Sequence, residues 1–337
     1  MPIKHYGVLS ARAVARRREG ATDSPHYQIH LRDDAGTDYR AAVNVLSDQA
    51  PSELLYAVVD DFRHPLTDRL PAAGAGWTEL SSAAAGGGLD FIRGNLFDPA
   101  SMRTLPSDLP GVDNDLADLL DHYVERAVAD RTAGLWVFGQ RWPTEAKVPD
   151  KVFGFLPGNG VHDIHMNQGN RGSHQQDNGV RQDGALLVHL PSEQRWVAVF
   201  LAFQSQAFHT DDVTGNPVDT APPRPPQGGV RPLRIVAALV NPPGPEPEAE
   251  TVTLLNTSAA PVELAGWHLA DQRRQRFALP ARRLAAGATV TLATRGSGFR
   301  LGNQGGTITL LDPAGLKVHG VAYTAGQAAR EGESIAF

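Results

Sequence analysis

The chain contains no cysteine, and this absence excludes disulfide scaffolds, thiolate zinc sites, iron–sulfur clusters and cysteine nucleophiles. It also contains no apolar run near the roughly 20 residues that a membrane-spanning helix needs. The amino-terminal segment lacks a continuous apolar region and carries charged residues at 16–19, where a cleavage site would lie. Because a secretory signal needs an apolar stretch, we expect none here. The sequence therefore predicts a cytoplasmic protein, with export or cell-surface attachment as the alternative.

Basic charge is also scarce, since the formal net charge is −6 with 31 Lys and Arg against 37 Asp and Glu. Neither end of the chain has the concentrated basic field of a dedicated nucleic-acid-binding motif. The GxSxG nucleophile elbow, the GxxxxGK[ST] phosphate loop and a GxGxxG between a strand and a helix are absent as well. These absences exclude the hydrolase and nucleotide-binding classes that depend on those loops.

What is present indicates two folded domains. The chain has 337 residues, of which 41% are hydrophobic and 20% charged, values typical of globular proteins. Residues 214–231 are rich in Pro and Gly, a composition that makes a good spacer and a poor core element. We therefore predict one domain over 1–213, a linker over 214–231 and a second domain over 232–337.

The second domain has the pattern of a β-sandwich. Short alternating runs bounded by Gly, Pro, Asn or Asp predict strands at 233–240, 250–256, 262–270, 288–293, 306–312 and 319–324. Trp267 is expected to anchor the core. Five arginines between 273 and 283 form a basic cluster, which we interpret as a solvated edge, with contact to an anionic polymer as the alternative.

The first domain is predicted to be mainly β with at least one helix, an α+β domain. The helix is expected over 116–128, where apolar residues recur at helical spacing. Residues 52–62 fit a strand or a helix, and residues 72–88 read as an exposed loop or hairpin. Apolar and alternating runs predict strands at 6–14, 26–31, 39–46, 134–142, 151–156, 184–190 and 195–203.

Histidines concentrate in the first domain, which holds all but His268 and His319 of the 12 in the chain. If 26–31 is extended, the two-residue period puts His26, Gln28 and His30 on one face. Two imidazoles and an amide on one face suit a metal ion or an anion. A plain solvent-facing strand surface is the alternative.

A second polar concentration lies at 158–172, where glycines bracket two histidines, an aspartate and several amides. In an extended segment Asp163, His165 and Asn167 share one face and His162 lies on the other. Such a tract suits general acid–base catalysis or divalent-metal ligation. The alternative is a structural role, in which these groups satisfy the backbone of a buried loop.

These residues predict a hydrolase that acts on a phosphodiester or similar anionic bond. His30 and His165 are expected as acid and base, Asp163 as the orienting carboxylate and Asn167 as the donor to a developing oxyanion. Substrate contacts are assigned to Arg141, Gln140 and Gln168. If one divalent metal ion takes part, the candidate ligands are His26, His30, His162 and His165.

Two other functions remain open at this point. One is a non-catalytic binding or scaffold protein that uses the β-sandwich as an adhesion module. The other is a hydrolase of an amide or glycosidic polymer, which needs the same His and Asp residues.

The chain also resembles known families. The runs PHYQIH, SELLYAVVDDFRHPLT, FGQRWPTE and GNGVHDIHMNQGN are similar to the YukJ family, a bacterial and fungal domain of unknown function, over nearly all of 1–213. The runs ELAGWHLAD and LGNQGGTITLLD resemble a lamin-tail domain. That resemblance implies an immunoglobulin-like β-sandwich, and in bacteria it implies the company of secreted or surface hydrolases, including nucleases and phosphoesterases.

Overall fold

The computed structural model describes residues 5–19, 26–46, 54–80, 102–104, 115–163, 184–203, 232–244, 249–273, 275–313 and 317–337. The first domain holds β1 (Tyr6–Arg18), β2 (His26–Arg32), β3 (Asp38–Asn44), β4 (Leu54–Val59), β5 (Gly76–Glu79), β6 (Arg103–Thr104), α1 (Asp115–Ala129), β7 (Gly134–Glu145), β8 (Gly158–His162), β9 (Gly184–Leu190) and β10 (Arg195–Phe203). Short 3-10 turns occupy Pro65–Arg69 and Pro191–Glu193.

Five strands of this domain close into a barrel. Neighbouring strands follow the order β1, β2, β3, β8 and β7, and β7 bonds back to β1. The β3–β8 pair is parallel, and the other four pairs are antiparallel. A register shift between Ala13 and Ala15 bends β1, so that one long strand contacts both β2 and β7. With α1 between the third and fourth barrel strands, this is the connectivity of the OB-fold, a five-stranded Greek-key barrel.

The remaining strands extend the barrel into a larger sheet. From β7 the sheet continues through β9, β10 and β4 to β6, while β5 pairs with β1. The apolar side of α1 packs into the main core through Leu116, Leu120 and Val124, together with inward side chains of the barrel strands. The sheet face opposite α1 carries a second apolar cluster, which includes Phe138 and Phe200. Toward β2, β3 and β8 this same face becomes polar.

The second domain is the predicted immunoglobulin-like β-sandwich. Its two main sheets have the orders β17-β12-β11-β20 and β15-β14-β18-β19, and one apolar core that includes Trp267 lies between them. Its elements are β11 (Leu233–Leu239), β12 (Thr251–Asn256), β13 (Val262–Glu263), β14 (His268–Asp271), β15 (Arg276–Ala278), β16 (Arg283–Leu284), β17 (Thr289–Ala293), β18 (Gly305–Leu311), β19 (Lys317–Thr324), α2 (Ala325–Ala328) and β20 (Ser334–Ala336).

Several predicted elements change in the structure. The strand predicted at 151–156 is wrong: residues 151–153 form turns and no strand follows before β8. Of the two alternatives left open for residues 52–62, the structure has the strand, β4, and the segment 72–88, predicted as a loop or hairpin, contains strand β5 within its described part. The predicted 262–270 strand is divided into β13 and β14, because Gly266 adopts a φ of +83° in a turn between them. The predicted linker, 214–231, lies outside the described residues.

No helix among the described residues is long and apolar enough to cross a membrane.

Candidate functional site

The barrel presents one polar face made by alternate residues of its strands. On β2 the side chains of Tyr27, Ile29 and Leu31 are buried in the core, so that His26, Gln28 and His30 face the other way. The neighbouring positions on this face come from β1, β3, β8 and β7, and they include Arg17, Arg40, Asn44, His162 and Gln140 by register. We call this set of residues the polar face.

Two histidines meet on the polar face. His26 Nε2 lies 3.0 Å from His162 Nε2, and the two rings are perpendicular with centroids 4.7 Å apart. The pair bridges β2 and β8 across the intervening β3, where His26 is registered with Asn44 and His162 with Ala42. Both side chains keep about a fifth of their surface accessible, 19% for His26 and 20% for His162. We call these two residues the histidine pair.

A carboxylate lies behind each ring of the pair. Glu19 Oε2 is 3.2 Å from His26 Nδ1 and accepts a 3.3 Å hydrogen bond from the backbone N–H of His26. Asp163 Oδ1 is 3.6 Å from His162 Nδ1. Asp163 is itself buried, and its Oδ1 accepts from the backbone and side-chain nitrogens of Asn44 at 3.1 and 3.4 Å. The order on the face is therefore carboxylate, imidazole, imidazole, carboxylate.

This order restricts where the protons lie. An ionised carboxylate only accepts hydrogen bonds, so the proton of His26 sits on Nδ1 and its Nε2 presents a lone pair. The 3.0 Å contact then requires a proton on His162 Nε2, which donates to His26 Nε2. His26 Nε2 is therefore the acceptor of the pair and His162 Nε2 the donor.

The pKa shifts of His26 and Glu19 agree with that arrangement. Burial lowers the pKa of His26, and the charge of His162 lowers it further, against the opposing effects of Asp163 and Glu19. Burial works to raise the pKa of Glu19, but the charge and hydrogen bonds of His26 outweigh it and hold that pKa below its usual range. The lowered pKa favours the neutral form of His26, whose Nε2 can accept a proton.

His30 is not brought to the histidine pair, although it shares the face. Its Nε2 lies 2.8 Å from Asp38 Oδ1, and its ring stacks on Phe153 and Phe155 with centroids 5.2 and 5.0 Å apart. Asp38 also accepts from Arg32. The structure thus ties the residue predicted as catalytic acid or base into an ion-paired aromatic cluster.

Arg141 lies on the other side of its strand. Gln140 is registered with His162 and Arg141 with Val161, a core residue, so that the two side chains point to opposite faces. The guanidinium donates to Asn159 Oδ1 at 3.4 Å and to Thr144 Oγ1 at 3.5 Å. Gln140 therefore keeps its predicted place beside the site, and the structure places Arg141 away from it.

The predicted residues His165, Asn167 and Gln168 lie outside the described part of the chain. Of the four candidate metal ligands, the structure brings His26 and His162 together and ties His30 to Asp38. Within the described ranges no group of three or more His, Asp or Glu side chains is arranged to hold a metal ion.

Sequence reasoning missed Arg40 and the cavity beside it. The guanidinium of Arg40 donates to Asp150 Oδ2 at 2.7 Å and to Gln28 Oε1 at 2.9 Å, and its Cζ lies 4.6 Å from the centroid of the Trp142 ring. A cavity of about 340 Å³ opens here, lined in part by Arg40, Trp142 and Lys151. The sequence signal that could have identified Arg40 is its place in the alternating strand β3, because an arginine in a half-buried strand seldom lacks a partner.

Glu19 was missed for a different reason. It follows three arginines at the end of β1, where charge alone suggests a solvated surface. Its backbone N–H donates to the carbonyl of His26 at 3.0 Å, and this cross-strand contact, not any local pattern, places its carboxylate behind the imidazole.

Comparisons with known proteins agree with the resemblance noted above. Residues 1–215 match the family model described as "Uncharacterized conserved protein (DUF2278)", and residues 227–325 match the Lamin Tail Domain. The chain is 41% identical over 220 residues to "Uncharacterized protein YukJ" of Bacillus subtilis (strain 168), an alignment that covers 65% of this chain and 96% of that protein. No solved structure matches the chain. The chain therefore belongs to the DUF2278 family and carries a Lamin Tail Domain after the family domain.

Proposed function

We propose that the first domain is a hydrolase of phosphodiester or similarly anionic bonds, with His26 as general base and His162 as general acid. The observation that carries the proposal is the 3.0 Å contact between the two Nε2 atoms, with a carboxylate behind each ring. A lone pair on one Nε2 and a proton on the other are the starting arrangement that acid–base hydrolysis requires.

The chemistry follows from the same atoms. When a phosphodiester occupies the pair and replaces the direct Nε2 contact, His26 Nε2 accepts a proton from the attacking water as its oxygen bonds to phosphorus. His162 Nε2–H gives its proton to the leaving oxygen as the ester P–O bond breaks. After the products leave, the proton now on His26 returns to His162 through the direct Nε2 contact. Glu19 holds the His26 ring in orientation, as the partner carboxylate does in a catalytic triad, and the Asp163 carboxylate lies 3.6 Å from His162 Nδ1.

An anionic substrate suits the charges around the pair. Arg17 is exposed, is registered with Gln28 on the polar face, and makes no ion pair with any residue that the structure describes. Lys151 is exposed at the cavity and near enough to Glu19 to help lower its pKa. Cations placed beside the reacting bond stabilise the charge that grows in the transition state. They take the role that Arg141 was predicted to play.

Hydrolysis of bis(4-nitrophenyl) phosphate by the full chain tests the proposal. We expect His26→Gln and His162→Gln each to lower kcat about 100-fold or more, the range that general acid–base groups contribute. His122→Gln is the matched control, because His122 is exposed on α1 in the same domain. Circular dichroism of each variant checks that the fold is retained.

Two results would contradict the proposal. One is a folded His26→Gln, His162→Gln double variant that hydrolyses the diester at the wild-type rate. The other is a wild-type protein that hydrolyses no phosphodiester at any pH in the range where imidazole groups titrate.

A further inference from the structure

Beside the histidine pair lies a surface that acid–base chemistry does not use. It consists of the loop between β7 and β8, the cavity of about 340 Å³ under that loop, and the ring of His30 on β2. Arg40 lines the cavity and is registered both with His30 and with Gly160, two residues before His162 on β8. The surface is thus continuous with the polar face that carries the histidine pair.

Aromatic rings form part of this surface. Phe153 and Phe155 are both half-buried, and they lie within 23° and 15° of parallel to the His30 ring. Trp142 forms a wall of the cavity, with Arg40 above its ring. Flat rings with accessible area are stacking platforms for other flat rings.

The same loop exposes apolar side chains that a folded surface normally hides. Val148 is 51% exposed and Leu156 is 60% exposed, and both are among the few large apolar side chains exposed in the described chain. Val148 lines the cavity. Val148 and the Trp142 ring give the cavity the partly apolar lining that ligand pockets have.

Charged side chains complete the surface, and in the cavity lining Glu145 and Asp150 accompany the two cations. Lys151 lies at the cavity, Arg40 in its wall, and Arg17 on the neighbouring strand of the polar face. Asp150 Oδ2 accepts from the Nε–H of Arg40, and Asp150 Oδ1 accepts from the backbone N–H groups of Val152 and Phe153. Because this carboxylate pairs with its guanidinium, Arg40 acts mainly as a structural support. Neither Arg17 nor Lys151 makes an ion pair with the residues that the structure describes, so both charges are available to a ligand.

We propose that this surface binds the nucleotides that flank the scissile phosphate of a single-stranded nucleic acid, with a base stacked on Phe155 and a phosphate held by Lys151. The inference rests on the proposed function, because it names the substrate class of the same site. Single strands suit it because their unstacked bases are free to stack on aromatic side chains. A neutral oligosaccharide would stack on the aromatic rings but would form no ion pair with Lys151 or Arg17. The second and third strands and the loop between the fourth and fifth strands are also where OB-fold barrels bind their ligands.

Binding is measured with the folded His162→Gln full chain, which removes cleavage, and a fluorescent oligothymidylate. We expect Phe155→Ala in this background to weaken binding about tenfold, the effect of losing one base–aromatic stack. We expect Lys151→Gln to reduce the slope of log K against log salt by about 0.7, the value for one phosphate contact on a single strand. Lys147→Gln is the matched control, because Lys147 is exposed in the same loop outside the cavity lining.

An abasic oligomer of equal length separates stacking from plain charge. We expect it to bind more weakly than oligothymidylate and to be insensitive to Phe155→Ala. Equal binding of both oligomers, or tighter binding of a neutral oligosaccharide, would overturn the inference. Wild-type cleavage of bis(4-nitrophenyl) phosphate without oligothymidylate binding would overturn the inference and leave the proposed function standing. Base-dependent binding without any hydrolysis would support the surface and contradict the function.

Discussion

At the scale of single residues, glycine decides whether the candidate site is assembled. A Cβ at Gly139 would lie 2.0 Å from the carbonyl oxygen of His162 and 2.8 Å from the Cα of Asp163. Both atoms belong to backbone, which cannot move aside as the end of a side chain can. The close approach of β7 to β8 therefore depends on this one residue.

We expect Gly139→Ala to separate the two strands near His162 and to lower diester hydrolysis by at least tenfold, because about 1 Å of misplacement costs that much or more. Gly36→Ala is the control for an added methyl group, since nothing lies within 4 Å of its Cβ position, although its φ of +83° costs some stability. Comparing kcat of the two variants at equal folded fraction makes the test. A Gly139→Ala protein with wild-type kcat would show that the β7–β8 spacing is irrelevant.

Glu19 is a positioning residue in this scheme, and its effect appears in the pH profile. The carboxylate raises the pKa of His26 against the effect of burial. Its removal in Glu19→Gln therefore lowers that pKa, and His26 stays neutral, and so basic, to lower pH. We expect the acid limb of kcat against pH to move to lower pH while the maximum rate falls. An acid limb that moves to higher pH, or does not move, would contradict the assignment of His26 as base.

At the scale of elements, α1 holds the barrel strands that carry the site. Its apolar side meets β1, β2 and β9, while its polar residue Asp121 accepts from Arg16 of β1 and from Tyr27 Oη at 2.8 Å. Burial raises the pKa of Tyr27, and the hydrogen bond to Asp121 raises it further, so the phenol stays protonated as a donor. The helix thus contributes apolar packing and a half-buried polar link to the strand of His26.

We expect Leu120→Ala to lower the free energy of unfolding by about 2–5 kcal/mol, because a fully buried leucine leaves a cavity when truncated. Glu125→Ala on the exposed side of α1 serves as the comparison, with an expected change below about 1 kcal/mol. Urea unfolding measures both. A Leu120→Ala effect no larger than that of the comparison would mean that α1 does not stabilise the barrel.

At the scale of the whole molecule, the chain joins a DUF2278 domain to a Lamin Tail Domain. The arginines predicted at a solvated edge of the second domain are exposed where the structure describes them, at Arg273, Arg276, Arg282 and Arg283. The polar face and the cavity both belong to the first domain. The proposed chemistry is therefore assigned to the first domain alone.

Metal dependence is a property of the complete protein. Acid–base chemistry by the histidine pair needs no metal ion, so we expect dialysis of the full chain against a chelator to leave kcat unchanged. Metal analysis before and after dialysis provides the check that any bound ion was removed. Loss of activity that zinc restores would replace general acid–base catalysis with metal ligation at the same two imidazoles.

Much of the architecture was predictable because its signals are local. Alternation with a period of two identified β2 and the side of it that carries His26, Gln28 and His30, and helical spacing identified α1. The aromatic run at 151–156 was misread for the same reason. Phe153 and Phe155 have the spacing of a strand, but the turn around Asp150 and Gly154 (φ +75°) uses them as loop residues that stack on His30.

The sequence by itself determined that cysteine chemistry is absent, that two domains follow one another, that both are mainly β, and that the histidines gather in the first. Only the tertiary structure decided that His26 meets His162, that Glu19 backs the first ring, and that Arg141 lies on the far side of β7. The reason is physical: the face on which a side chain lies follows from local backbone alternation, whereas the neighbours of a strand follow from hydrogen bonds between distant segments. The parallel pairing of β3 with β8 has no local signature, and it is this pairing that brings the two imidazoles together.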